Sequence, residues 1–336
     1  MGGMALQGEG VVTIGETMAL LTPPAAPRLR DGAPMTLGIG GAESNVAIAL
    51  ARLGHPVTWI SRLGNDDFGT LVEREIRAEG VTVLAERDEA APTGLMVKEA
   101  RGGRTVGVRY YRAGSAASKL TSEHVEAYRE VIAGAAVLHL TGITPALGEG
   151  DETFTALSHA IQIARENQTL VSFDVNYRTT LWRGGPEHAV GALGRLAHFS
   201  DLVFAGPEEA VLASRRDFVG EVGESFEAGE ALAEHLHSGG STVLKLGATG
   251  ALGLEQSGVL HRSPTTPVQV TDAVGAGDAF VGGYLSALLD GGSMPECLAR
   301  ANRLGGIVCQ AIGDWEALPT RSELEAADHG STDVRR

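Results

Sequence analysis

Near the C-terminal end of the chain, Asp272-Ala273-Val274-Gly275-Ala276-Gly277-Asp278 runs into the apolar stretch Ala-Phe-Val-Gly-Gly-Tyr-Leu. Gly275 and Gly277 let the backbone approach a ligand closely. With Ala276, their N–H groups fall at the start of the helix that follows, where the dipole favours an anion. Asp278 opens that helix in this reading. A carboxylate there either caps the helix or takes a proton from a hydroxyl attacking an anion held on those N–H groups. The spacing is not that of a dinucleotide-binding fingerprint, because the third glycine is misplaced and no βαβ unit follows.

Four further groups of residues carry candidate chemistry. Gly40-Gly41-Ala42-Glu43-Ser44-Asn45 precedes a helix. Its glycines expose backbone groups to a polyol, and Asn45 both donates and accepts, although a plain helix start has the same composition. Lys245-Leu246-Gly247-Ala248-Thr249-Gly250 follows a strand and either cradles a phosphate or turns the chain into a hairpin; it is not a Walker A loop. Asp174-Val175-Asn176-Tyr177-Arg178 stands at the carboxyl end of a strand, where open parallel sheets bind ligands. Tyr110-Tyr111-Arg112-Ala113-Gly114-Ser115 ends an extended run.

The elements that must position these residues follow from periodicity. Val11–Ile14, Thr58–Ser61, Val137–Leu140, Leu170–Asp174, Leu202–Ala205 and Thr242–Leu246 read as buried strands. Helices over Glu43–Leu53, Asp67–Ala78 and about 151–167, 186–198, 207–214 and 226–238 separate them, which predicts an α/β chain with a doubly wound, mostly parallel sheet. Leu20–Pro34 is irregular and Met35–Ile39 extended. Leu95–Glu99 and Val106–Arg112, joined by Arg101-Gly102-Gly103-Arg104, predict a β-hairpin with no place in such a core. With part of 17–38, residues 93–113 are expected to form a small separate β-sheet, a lid. Ala251–Glu255 and Val259–His261 suggest a second hairpin, and Asp278–Leu289 and Pro295–Gln310 the last helices. One domain over 11–320 is expected, with 321–336 a polar, fraying tail.

The formal net charge of −15 argues against a face that tracks a nucleic acid, and it means that an anionic substrate needs local cations. Cys297 and Cys309 have no metal-site spacing and read as reduced thiols. No apolar run reaches the ~18 residues of a membrane span, and the first ten residues do not resemble a secretory signal, so a cytoplasmic protein is expected.

Taken together and in this order, the motifs resemble the ribokinase-like (PfkB) carbohydrate kinase family over about residues 11–320. Gly40-Gly41 with Asn45 resembles its first signature and Asp272–Asp278 its second. Tyr110–Ala116, Thr141–Leu147 and Asp174–Arg178 with Leu181-Trp182 are similar to those kinases of the family that act on 2-keto-3-deoxygluconate. The resemblance implies ATP and Mg²⁺ as donor, a small sugar acid as acceptor and a homo-oligomer clasped through the lid. It implies that Gly41, Asn45, Tyr110, Arg112, Arg178 and Asp314 contact the sugar acid. Asn176, Lys245, Gly247, Thr249, Gly250, Gly275, Gly277 and Asn302 would line the nucleotide site. Gly275, Ala276 and Gly277 would form the anion hole, Asp278 would be the base, and Glu209 would hold Mg²⁺ through water. Gly206 stands where relatives carry Asn or Ser and has no side chain to donate a hydrogen bond; Ala273 replaces a commoner Thr or Pro. Many relatives hold a monovalent cation near this stretch. Two other readings stay open: a kinase for a neutral sugar such as fructose or ribose, which needs no pair of arginines, and a non-catalytic sugar-binding regulator, which needs no Asp278.

Overall fold

The apolar, β-branched runs become strands buried on both faces. The computed structural model describes residues 6–23, 31–101, 104–182, 185–237 and 239–328. The chain begins with β1 (Val11–Ile14), β2 (Met18–Thr22), β3 (Thr36–Gly40), α1 (Ala42–Arg52), β4 (Val57–Gly64), α2 (Asp67–Ala78) and β5 (Thr82–Asp88). The hairpin β6 (Leu95–Arg101) and β7 (Arg104–Tyr111) follows, then α3 (Ser122–Glu126), α4 (Arg129–Ala133) and β8 (Val137–Thr141). The second half runs α5 (Glu152–Glu166), β9 (Leu170–Asp174), α6 (Gly185–His198), β10 (Leu202–Ala205), α7 (Pro207–Ser214), α8 (Phe226–Leu236) and β11 (Ser241–Lys245). It ends with β12 (Gly250–Leu254), β13 (Leu260–Pro264), α9 (Ala276–Leu289), α10 (Met294–Val308) and α11 (Arg321–Asp328).

Two sheets result. The nine-stranded sheet has the order β13-β12-β11-β10-β9-β8-β1-β4-β5. It is parallel from β11 to β5, and only β12 and β13 pair antiparallel at one edge. Alternate residues face opposite cores. Trp59, Val137 and Phe204 pack with α1, α9 and α10 on one side; Ile60, Leu138 and Val203 pack with α5 and α6 on the other. Phe204 meets Phe280 and Tyr284 of α9 edge-on, at centroid distances of 6.4 and 5.1 Å. Truncating it would cost about 3–5 kcal/mol and loosen the helix that carries Asp278.

The second sheet is the expected lid, four strands in the order β3-β2-β6-β7. Its connection at 102–103 lies outside the described residues, as do 24–30. Two sequence expectations change, and one strand, β5, was not expected at all. Met18–Thr22 is a strand, so Leu20 is not in an irregular segment. β5 offers only Val83 and Leu84 as a strong apolar signal before Glu86-Arg87-Asp88, and it is held by pairing with β4 along its whole length. Arg321–Asp328 is a helix whose Leu324 enters the α9–α10 core, so the tail does not fray from 321; residues 329–336 lie outside the description.

Candidate active site

β1 and β8 are neighbours, yet the chain leaves β1 toward β4 and β5 and leaves β8 toward β9 and β10. A parallel sheet opens a crevice at such a switch point, outside the carboxyl ends of its strands. An open cleft lies there. Gly41, Asn45, Tyr110, Arg112, Arg178 and Asp314 all line it, together with Gly275 and Asp278.

Asp278 is the third residue of α9, and Gly275 is the N-cap. The carboxylate therefore does not open or cap the helix, which corrects the sequence reading. It sits within the first turn, 9% exposed. Asn45 Nδ2 donates to its Oδ2 at 2.8 Å, and Asn176 Nδ2 approaches its Oδ1 at 3.5 Å. Burial, reinforced by the nearby Asp174 carboxylate, pushes the Asp278 pKa up to about 7. The Asn45 hydrogen bond, Arg178 and Lys245 pull the other way and lose. Asn45 Oδ1 and Asn176 Oδ1 are buried and accept no protein hydrogen bond among the described residues, so two acceptors remain for ligand hydroxyls beside Asp278.

Two glycines are sterically required. Gly275 has φ 79°, and a Cβ there would lie 1.9 Å from the carbonyl oxygen of Asp314. Gly41 is extended, but its Cβ would lie 2.3 Å from the carbonyl of Glu16.

Apart from Gly275, the nucleotide-side candidates gather at the same carboxyl edge of the sheet but do not line this cleft. Lys245 Nζ donates to Asp174 Oδ1 and Oδ2 at 2.7 and 2.9 Å. Burial lowers the Lys245 pKa, but Asp174 and then Glu209 outweigh it, and the net shift is upward. Its Nζ is 3.7 Å from where a Cβ on Gly277 would stand, so the ammonium flanks the start of α9. Gly247–Thr249 form a 3₁₀ turn before Gly250 starts β12. Asn302 Nδ2 is engaged by Ser263, through its carbonyl at 2.8 Å and its hydroxyl at 3.1 Å. Glu209 accepts the backbone N–H of Tyr177 at 2.8 Å and of Gly206 at 2.7 Å. The Gly206 bond is the capping contact between the N-cap backbone and the third residue of α7. No group of three or more His, Cys, Asp or Glu able to hold a metal occurs among the described residues. That donor set suits a Mg²⁺ carried on phosphates and touched through water, not one caged by the protein.

Several residues of the site gave no sequence signal. Glu16, just after β1, is buried and takes Arg112 Nε at 2.6 Å and Nη2 at 2.5 Å on one oxygen, with the Ser115 hydroxyl on the other. Arg112 therefore lines the cleft with its charge already matched. Arg178 is exposed and has no salt-bridge partner among the described residues; its Nη1 reaches only the Tyr177 carbonyl. Glu43 is fully buried, holds the hydroxyls of Thr141 and Thr144 at 2.6 and 2.8 Å, and has its pKa raised by burial. The Glu-after-Gly-Gly-Ala and Thr-x-x-Thr patterns were visible but had no reason to be joined.

A glycine-rich helix start, a buried carboxylate beside it and a four-stranded lid over a switch-point cleft are parts that a phosphotransferase requires. The chain belongs to the pfkB family of carbohydrate kinases, whose sequence model matches residues 9–321. It is 37% identical to a 2-dehydro-3-deoxygluconokinase of Bacillus subtilis over 93% of each chain. It is 32% identical to a 2-dehydro-3-deoxygalactonokinase of Haloferax volcanii, over 95% of this chain and 96% of that one. The crystal structure of 2-dehydro-3-deoxygluconokinase from Thermotoga maritima superimposes with a TM-score of 0.82 at 26% identity, covering 96% of this chain and all of the other.

Proposed function

We propose that the protein is an ATP-dependent kinase that phosphorylates the terminal hydroxyl of 2-keto-3-deoxygluconate or a closely related 2-keto-3-deoxy sugar acid. The observation that carries the reading is Asp278. It is a buried carboxylate with a pKa near 7 in the first turn of α9, three residues after Gly275, in the cleft that Gly275 and the unpaired Arg178 also line. A base poised near the working pH balances availability against strength.

In this reading the sugar acid lies along Gly41, Asn45 and Tyr110, with its carboxylate toward Arg178 and its far hydroxyl at Asp278. Asp278 takes the hydroxyl proton as the oxygen attacks the γ-phosphorus. Asn45 keeps the carboxylate turned toward that oxygen. The N–H groups of Gly275, Ala276 and Gly277 receive the charge that builds on the transferring phosphoryl group, and Lys245 adds a cation on the leaving side. Glu209, Lys245, Gly247, Thr249, Gly250 and Asn302 belong to the nucleotide half. Mg²⁺ brought in with ATP would supply charge neutralisation on the phosphates, with Glu209 holding it through water. ATP and sugar acids meet in the cytoplasm, and we place the enzyme there.

The outer face of the lid carries Leu37, 48% exposed, and Tyr111, 65% exposed. Leu21, Leu95 and Val97 are only half-buried between them. We read this apolar face as the contact with a second copy of the chain.

An ADP-release assay over a panel of neutral sugars and sugar acids tests the substrate. The expected ranking puts 2-keto-3-deoxygluconate or its galactonate epimer first. A fructokinase or ribokinase reading is favoured by one observation, the neutralisation of Arg112 by Glu16; equal turnover of fructose and the sugar acid would establish it instead.

A further inference from the structure

Lys98 belongs to the lid strand β6, yet its side chain ends in the catalytic layer. It is 1% exposed. Its Nζ lies 2.7 Å from Asp314 Oδ1 and 3.3 Å from Asp272 Oδ2. Each carboxylate belongs to a segment that shapes the anion hole. Asp272 Oδ1 accepts the N–H of Val274 at 3.1 Å and so bends the chain into Gly275. The Asp314 backbone presses on Gly275 from the other side, and Asp314 Oδ2 stands 2.6 Å from where a Cβ on Gly40 would be. One ammonium thus joins the lid to both walls of the 272–277 turn.

This arrangement is costly as a mere staple. Burying an ammonium and two carboxylates forfeits hydration that their attraction recovers only in part, and apolar residues of similar size commonly hold such a place as well or better. The two carboxylates also need a cation between them, because like charges in a buried site repel strongly. We propose that Lys98 is a positioning residue for phosphoryl transfer: its ammonium fixes the 272–277 turn, and with it the N–H groups of Gly275–Gly277, and makes their placement depend on the lid being seated.

The inference rests on the kinase reading but not on the identity of the sugar, so it is read with whichever sugar the wild type phosphorylates best. Lys98→Ala and Lys98→Met are assayed with Mg²⁺ and with tetramethylammonium as the monovalent cation, then with added potassium, ammonium or methylammonium. In Lys98→Ala the two carboxylates face space that a small cation can enter. Its kcat is expected to fall at least 30-fold, with KM for ATP changing less than threefold, and a small cation is expected to restore at least a tenth of the wild-type kcat. Lys98→Met fills the space with an apolar chain, so it is expected to show the same loss without rescue; it also serves if Lys98→Ala does not fold. The wild type is expected to be indifferent to the added cations. Retention of kcat within threefold in Lys98→Met overturns the proposal. So does a loss in folded Lys98→Ala that no small cation reverses. A wild type inactive on every sugar would overturn the kinase reading and this one with it.

Discussion

Asp278→Asn separates the two things that burial does to this carboxylate. Chemically, the variant loses the base, and kcat is expected to drop by about 10²–10⁴ with ATP affinity retained. Energetically, it should gain stability. In an unfolded chain the carboxyl titrates near its ordinary value of 3.8, whereas in the fold it titrates at about 7. Below about pH 4 both states hold the proton, and burial carries no ionic penalty. Between the two values the unfolded chain gives up its proton and the folded one does not, so the wild type loses stability as pH rises; above about 7 the loss is complete. The difference amounts to about 4 kcal/mol at ~1.36 kcal/mol per pH unit. Asn never incurs it. With an unfolding entropy of about 2.1 cal/mol/K per residue over 336 residues, the variant should melt about 6 °C higher at pH 8.5, with a gain at pH 5 of about 2 °C. Differential scanning fluorimetry across pH measures this, and a pH profile of the wild-type kcat/KM should rise through about pH 7. A variant that keeps more than a tenth of kcat refutes the base assignment. A loss of activity with a pH-independent melting difference refutes the argument from burial.

Arg178→Lys, which loses the bidentate fork, should lower kcat/KM for the sugar acid by about 10- to 150-fold while KM for ATP moves little; a loss below threefold in steady-state kinetics would remove Arg178 from the carboxylate. Arg112→Ala leaves Glu16 buried without its cation and should cost about 3–5 kcal/mol in urea denaturation, against less than about 1 for Arg178→Ala at the surface. Equal costs would mean that the Glu16 pair is not what holds Arg112. Light scattering should find the wild type as a dimer and Tyr111→Asp as a monomer; a monomeric wild type at tens of micromolar would refute the lid contact.

What the sequence displayed depends on how locally each feature is determined. The parallel core was legible because strands such as Val11–Ile14 and Val137–Thr141 are buried on both faces and so are apolar without interruption. β5 was not, because an edge strand ending in Glu86-Arg87-Asp88 is fixed by pairing with β4 and not by its own composition. The same division runs through the site. Gly275 and Asp278 lie three residues apart and announce a helix start. Glu16 and Arg112 are separated by 96 positions, and Lys98 and Asp272 by 174, so nothing in the sequence joins the members of either pair, and Glu16 and Lys98 read alone as ordinary surface charges. The place of Asp278 inside the first turn depends on where the helix begins, after the positive φ of Gly275, and that is not written in the motif itself.

The private core of the lid is small. Met18, Leu20 and Met96, with Val108 against them, make up all of its apolar cluster among the described residues. Two of the three are methionines, whose unbranched chains change rotamer without leaving a void. A sheet held by so few apolar contacts belongs to the low end of the stability spectrum of its own molecule, and its amides should exchange with solvent through openings that leave the nine-stranded sheet intact. What fastens it to the larger sheet is in good part ionic, the buried pairs of Lys98 with Asp272 and Asp314 and of Arg112 with Glu16, so an opening of the lid must break those pairs as well.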